Sequence, residues 1–168
     1  MELREYFLAQ LDREAASTRK TIERVPEGQN NFKPHERSME LGYLAALVAS
    51  MLGWIALMID RDELNLDDPD SAGFRTKPLV TRSELLASLD TAVSNARRAL
   101  QSTTDAHLQT PWAFKIGGQA VSKQPRNVMI ADAVFSHLAH HRGQLTVYLR
   151  LADSKVPALY GPSADERF

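Results

Sequence analysis

Four side chains near the C-terminal end of the chain are spaced as one face of a helix, and this pattern restricts the fold more than any other. They are His137, His141, Gln144 and Tyr148. At 3.6 residues per turn, separations of four, three and four residues bring all of them to one side. Most neighbouring positions are apolar, so we expect this row to face the interior of a helical protein.

The histidines of this row are candidate metal ligands. Two imidazoles one helical turn apart can hold one divalent cation between them, and His137 and His141 have that spacing. The alternative is a buried polar pair whose ring nitrogens are satisfied by hydrogen bonds. His140 lies beside the row and is expected at the rim of the site or behind its ligands.

Composition excludes several classes of protein. A chain of 168 residues fits a single domain, residues 1–168, with a core of its own. The formal net charge is -1 and basic residues are scattered, so no nucleic-acid partner is expected. Cysteine is absent, which excludes disulfides and thiolate ligands and is consistent with a reducing compartment. With charged residues at the N-terminus in place of a signal peptide, we predict a cytoplasmic protein.

One segment, residues 41–59, has no charged residue and is long enough to cross a bilayer. Its hydrophobicity is moderate because it includes Gly42, Ser50 and Gly53, and no membrane association is expected. A helix that is apolar all round is usually buried on two sides. We therefore predict a homodimer that forms through the helix at residues 38–60.

The apolar repeats predict four helices and no regular sheet. Thr81 and Glu84 have the spacing of a capping box at the start of the third helix. The stretch from 110 to 126 fits a loop or small hairpin, and an irregular tail follows residue 155. The predicted fold is all-α, an up-down four-helix bundle with long connecting loops. The four helices are predicted at residues 2–24, 38–60, 81–102 and 127–152.

Three segments resemble the DinB family of bacterial helical proteins. They are the run 137–150, the tail 156–166, and residues 32–42, which contain Phe-Lys-Pro-His and Ser-Met-Glu-Leu-Gly. The resemblance implies a DinB-type bundle and a divalent-metal site of three histidines. Two of these, one turn apart on the last helix, correspond to His137 and His141. Some related proteins are metal-dependent transferases that act with small thiols.

The third histidine of the family pattern is missing from this chain. The second-helix motif reads roughly Leu-Gly-x-Leu-x-x-His; Leu41, Gly42 and Leu44 match it, but Leu47 occupies the histidine position. A catalytic zinc site normally has three protein ligands. The resemblance therefore implies a degenerate or altered site that binds zinc or nickel weakly or not at all. A loop, His35 or a partner subunit remain open as sources of a third ligand.

Two functions follow from these observations. The first is a metal-dependent transferase acting with a low-molecular-weight thiol, in which the cation lowers the pKa of the thiol. The second is a non-catalytic dimeric protein that binds a small molecule or acts in a stress response after losing the metal. For both functions we expect a pocket where the polar row of the last helix faces the Tyr43–Leu47 turn of the second helix.

The replacement at position 47 leads to a direct prediction. If Leu47 occupies the vacated ligand position, Leu47→His completes a three-imidazole site, and affinity for Zn²⁺ or Ni²⁺ should rise well above that of the parent. Removing His141 from the variant should abolish the gain. Calorimetric titration of the parent, the single variant and the double variant measures both effects. Equal affinity of parent and Leu47→His would contradict this assignment.

Overall fold

A computed structural model describes residues 1–69, 71 and 76–167 of the chain, which form seven α-helices and three strands. Three helices are long: α1 at Leu3–Ile22, α4 at Arg82–Ser102 and α7 at His137–Leu151. Four are shorter: α2 at Leu41–Ser50, α3 at Trp54–Asp60, α5 at Asp105–Leu108 and α6 at Arg126–Met129. A 3₁₀ turn, Met51–Gly53, joins α2 to α3, and a π-helical segment, Ile130–Ser136, joins α6 to α7. The strands are β1 at Glu63–Asn65, β2 at Pro111–Ile116 and β3 at Gln119–Pro125.

The prediction of an all-α up-down four-helix bundle is wrong, because a mixed three-stranded sheet is part of the fold. β1 pairs with β2 in parallel, and β2 pairs with β3 in antiparallel. Gly117 and Gly118 have φ values of +58° and +73°, which suit the two-residue turn of the β2–β3 hairpin. The hairpin was one of the alternatives at 110–126. The parallel addition of β1 joins segments far apart in the chain, which local periodicity does not reveal.

Two predicted helices are interrupted. The second begins at Leu41 with Glu40 as its N-cap, rather than at Ser38, and the 3₁₀ turn divides it. The fourth is divided by the π-helical segment, where each backbone bond spans one residue more than in an α-helix. The first and third predicted helices correspond to α1 and α4, and Thr81 and Glu84 form the predicted capping box.

The charge-free segment is a core helix. Leu41–Asp60 is long and apolar enough to cross a membrane, but 78% of its most apolar window is buried inside the protein. Among the large side chains of α2, that of Tyr43 remains partly accessible to solvent and is 37% exposed. The chain thus covers most of this surface itself. Little apolar surface is left on this helix to drive the formation of a dimer. Homodimer formation through residues 38–60 stays a prediction, which light scattering tests.

A buried ion pair joins the first and last helices. Arg142 is fully buried, Glu14 is 4% exposed, and their nearest charged atoms are 2.5 Å apart. Arg142 Nη1 also donates to Thr18 Oγ1 at 2.9 Å, and Nη2 donates to the hydroxyl of Tyr160 in the tail. Tyr160 in turn donates to Glu14 Oε2 at 2.9 Å. This network fixes α1, α7 and the tail relative to one another.

Removing the cation of this pair should destabilise the fold. Arg142→Met leaves the Glu14 carboxylate buried without a counter-charge, and we expect a loss of about 3–5 kcal/mol of unfolding free energy. Urea unfolding followed by circular dichroism measures the loss. Arg150→Met is the matched control on the same helix, because Arg150 pairs with Asp165 in an exposed position. Equal midpoints for the two variants would contradict the assigned importance of the buried pair.

Candidate functional site: an imidazole pair beside an apolar cavity

The two candidate ligands meet at the start of α7. His137 is the first residue of the helix, His141 lies one turn later, and their ring centroids are 4.5 Å apart. The Nε2 atoms face each other at 2.8 Å, a hydrogen-bonding distance. His141 is 7% exposed, and His137 is half-buried. The pair therefore lies in the interior rather than at the open surface.

Gln144 fixes the tautomer of His141. Its side-chain oxygen Oε1 lies 2.8 Å from Nδ1 of His141, and an amide oxygen can only accept a hydrogen bond. The proton of a neutral His141 is therefore on Nδ1, and its Nε2 carries a free lone pair. That lone pair accepts from Nε2–H of His137 or is available to a cation. Gln144 thus acts as the orienting partner that metal-binding and catalytic imidazoles usually have.

The environment lowers the pKa of His141 below its ordinary value of 6.5. Burial is the largest cause, because it disfavours the charged imidazolium. The hydrogen bond to Gln144 opposes this effect, and the charges of His137 and His140 add to it. His141 is therefore neutral, and able to act as a ligand or acceptor, over most of the physiological pH range.

A cavity of about 810 Å³ lies next to His137. Helix α3 forms one side, the sheet forms the second, and α6 with the π-helical segment forms the third. Its volume is within the usual range of small-molecule pockets. The described residues that line it are Trp54, Leu57, Met58, Leu64, Leu66, Trp112, Phe114, Ser122, Gln124, Val128, Met129, Asp132, Ala133 and His137.

Two tryptophans dominate the wall of the cavity. The indole of Trp54 contacts the imidazole of His137, with ring centroids 5.8 Å apart. Trp112 is 2% exposed, and its indole N–H is buried with no hydrogen-bond acceptor among the described residues. A buried donor without an acceptor costs about 1–3 kcal/mol, so this indole is an unsatisfied polar group in the wall.

The remaining predicted site residues lie in different surroundings. His140 is exposed and contacts His141 edge to face, with centroids 4.9 Å apart. Tyr148 is buried, and its hydroxyl donates to the backbone oxygen of Met39 at 3.0 Å. Leu47 belongs to the hydrophobic core, and Tyr43 is partly exposed. The structure thus brings His140 and Gln144 to the imidazole pair, and the aromatic ring that contacts His137 is Trp54.

The donor set provides two of the three ligands of a catalytic zinc site. No group of three or more His, Cys, Asp or Glu side chains suited to a metal occurs among residues 1–69, 71 and 76–167. His35, one of the alternatives for a third ligand, is exposed, and its Nδ1 accepts from the backbone N–H of Arg37 at 3.1 Å. A cation at this site would therefore have two imidazole ligands and open positions for water or a ligand.

Sequence reasoning missed most of the cavity wall. The alternation of Trp112 and Phe114 before Gly117-Gly118 was the available signal, because alternating residues of a strand share one face. The contribution of Asp132 had no such signal. It depends on the π-helical segment, because Asp132 within it and His137 directly after it are five residues apart and both line the cavity.

Comparison with known proteins gives a consistent result. The sequence model of the DinB family matches residues 2–167. The uncharacterized protein YrdA of Bacillus subtilis is 27% identical over 164 residues, which cover 96% of this chain and 90% of YrdA. A DinB-like protein of Bacillus cereus has a TM-score of 0.71 at 21% identity, covering 93% of this chain and 97% of its own. A DinB-like protein of Bacillus subtilis has a TM-score of 0.66 at 18% identity, covering 95% and 98%.

The buried position of His141 leads to a prediction about pH. Its lowered pKa means that the unfolded chain binds this proton more readily than the folded chain does. The stability contribution is therefore fully present above about pH 6.5 and is lost as pH falls through the pKa of the folded state. NMR titration of the imidazole should give a pKa below 6.5, and Gln144→Leu should lower it further. A higher pKa in Gln144→Leu would contradict the assigned hydrogen bond.

Proposed function

We propose, on the premise that this chain belongs to the DinB family, that it binds a small apolar molecule in the cavity beside His137 and His141. In this proposal its metal site is altered from the family pattern, and binding rather than metal-dependent transfer is its main activity. A cytoplasmic location is part of the proposal and is supported by the absence of cysteine.

The cavity is the observation that supports the proposal. A volume of about 810 Å³ walled by aromatic, leucine and methionine side chains is expensive to leave to water. Burial of apolar ligand surface there is favourable by roughly 25 cal/mol for each Å². Met58 and Met129 are flexible and polarizable, so this part of the wall can adapt to ligands of different shape.

The imidazole pair provides the polar end of this pocket. His137 lines the cavity, and its ring is held between Trp54 and His141. Pockets of this kind usually combine an apolar body with a few placed polar groups that orient the ligand. His137 has this role in the proposal, while His141, itself held by Gln144, contacts the ring of His137.

Metal-dependent transfer to or from a small thiol is the second candidate. It is favoured by the convergence of two Nε2 atoms and by the fixed tautomer of His141. Nε2 of His137 and of His141 would hold a divalent cation such as Zn²⁺ or Ni²⁺. When bound, such a cation lowers the pKa of a coordinated thiol or water.

Elemental analysis separates the two candidates. The protein is purified without a histidine tag and without chelator, and its zinc and nickel contents are measured. A full equivalent of metal for each chain, lost in His141→Ala, would favour the transferase. A substoichiometric content that does not change in His141→Ala would favour the binding function.

Filling the cavity should abolish ligand binding. Ala133→Trp adds a large side chain to the wall, and affinity for the uncharged probe N-phenyl-1-naphthylamine should fall at least tenfold, because the indole occupies the ligand's space. Fluorescence titration of the probe measures this. Val147→Trp is the matched control, because Val147 is 56% exposed on α7 and outside the cavity lining. Equal probe binding by the parent and both variants would show that the probe binds elsewhere and would contradict the proposal.

A further inference from the structure

We infer that the cavity selects an organic cation, an aromatic or alkyl amine whose ammonium group lies between Asp132 and His137. This inference rests on the proposed function, because it names the ligand class for the same cavity. It follows from three observations: the charge of the lining, the direction of the hydrogen-bond chain through the histidines, and the aromatic content of the wall.

The lining carries a negative charge and no positive one. Among the described residues that line the cavity, Asp132 is the only charged side chain. It is exposed at the rim and has no ion-pair partner in the described part of the chain. A ligand with a negative charge would therefore meet a carboxylate, whereas an ammonium group would meet its counter-ion.

The basic residues around the cavity do not cancel this charge. Lys115 is paired with Glu63 at 2.6 Å, and Arg126 is paired with Asp62 at 2.5 Å. Lys123 lies between two lining residues of β3, Ser122 and Gln124. Since successive side chains of a strand point to opposite faces, Lys123 belongs to the other face of the sheet.

The hydrogen-bond chain leaves His137 as an acceptor. Because His141 carries its proton on Nδ1, the short contact between the Nε2 atoms requires that His137 donates from its own Nε2. Nδ1 of a neutral His137 is then unprotonated, and no partner for it occurs among the described residues. The lining thus offers two acceptors to a group with several N–H donors: the carboxylate of Asp132 in the π-helical segment and the imidazole of His137, five residues later, at the start of α7.

The aromatic side chains also favour a cation. Trp54, Trp112 and Phe114 all line the cavity, and the face of an indole or phenyl ring attracts an ammonium group within about 6 Å. This attraction lowers the cost of removing the ammonium group from water. The same rings pack against the apolar body of the ligand.

Three ligands with one skeleton test the inference. We choose 4-phenylbutylamine, 4-phenylbutanol and 4-phenylbutyrate, which carry an ammonium, a hydroxyl and a carboxylate at the same position. Calorimetric titration near pH 8 with a chelator present gives the three affinities. We expect the amine to bind about tenfold more tightly than the alcohol, and the carboxylate to bind most weakly.

Variants identify the residue responsible. Asp132→Asn keeps the size of the side chain, and it should lower the affinity for the amine about fivefold and leave that for the alcohol within about twofold. Asp153→Asn removes the same charge just beyond the C-terminal end of α7. It should change the affinity for neither the amine nor the alcohol. Asn is tolerated there, since Asp153 has a φ of +56°, a conformation that asparagine adopts readily.

The outcomes separate this inference from the proposed function. Binding of the alcohol without a preference for the amine overturns the inference and leaves the cavity as a site for neutral ligands. Tighter binding of the carboxylate also overturns it. If none of the three ligands binds, and N-phenyl-1-naphthylamine does not bind either, both the inference and the proposed function are wrong. A preference for the amine that survives Asp132→Asn overturns the role given to this carboxylate.

Discussion

The buried guanidinium of Arg126 is the interaction on which the cavity depends. It is 1% exposed and donates to the backbone oxygens of Met58 at 2.8 Å, Pro111 at 2.9 Å and Arg61 at 3.1 Å. A buried arginine is tolerated only when its fixed fork of donors is satisfied, so these partners are held in defined positions. They belong to the end of α3, the start of β2 and the link between α3 and β1. One side chain therefore fixes the three walls of the cavity against each other.

The imidazole pair beside the cavity is held by other contacts. His137 contacts Trp54 of α3, and His141 is held by Gln144 on its own helix. The helix that carries them is anchored by the buried Arg142–Glu14 pair. The imidazole pair and this ion pair therefore share α7, so the position of the histidines depends on the buried charge of Arg142, the residue directly after His141.

Features that are local in sequence could be predicted, and features that join distant segments could not. The spacing of His137 and His141 and the capping box at Thr81 each lie within one or two helical turns, so the sequence alone places their partners. The pairing of β1 with β2 joins residues about fifty positions apart, and β1 is too short to have a period of its own. The cavity was missed for this reason, since one of its walls is that sheet.

The π-helical segment Ile130–Ser136 makes the register of the site sensitive to chain length. Such a segment holds one residue more than an α-helical path needs, and a single deletion within it would restore α-helical geometry. The residues before the deletion would then rotate by about 100° and move by about 1.5 Å relative to α7. Val128 and Met129 would turn away from the cavity, while the imidazole pair, which follows the segment, would keep its geometry. A change of one residue in length would thus reshape the cavity without altering the histidines beside it.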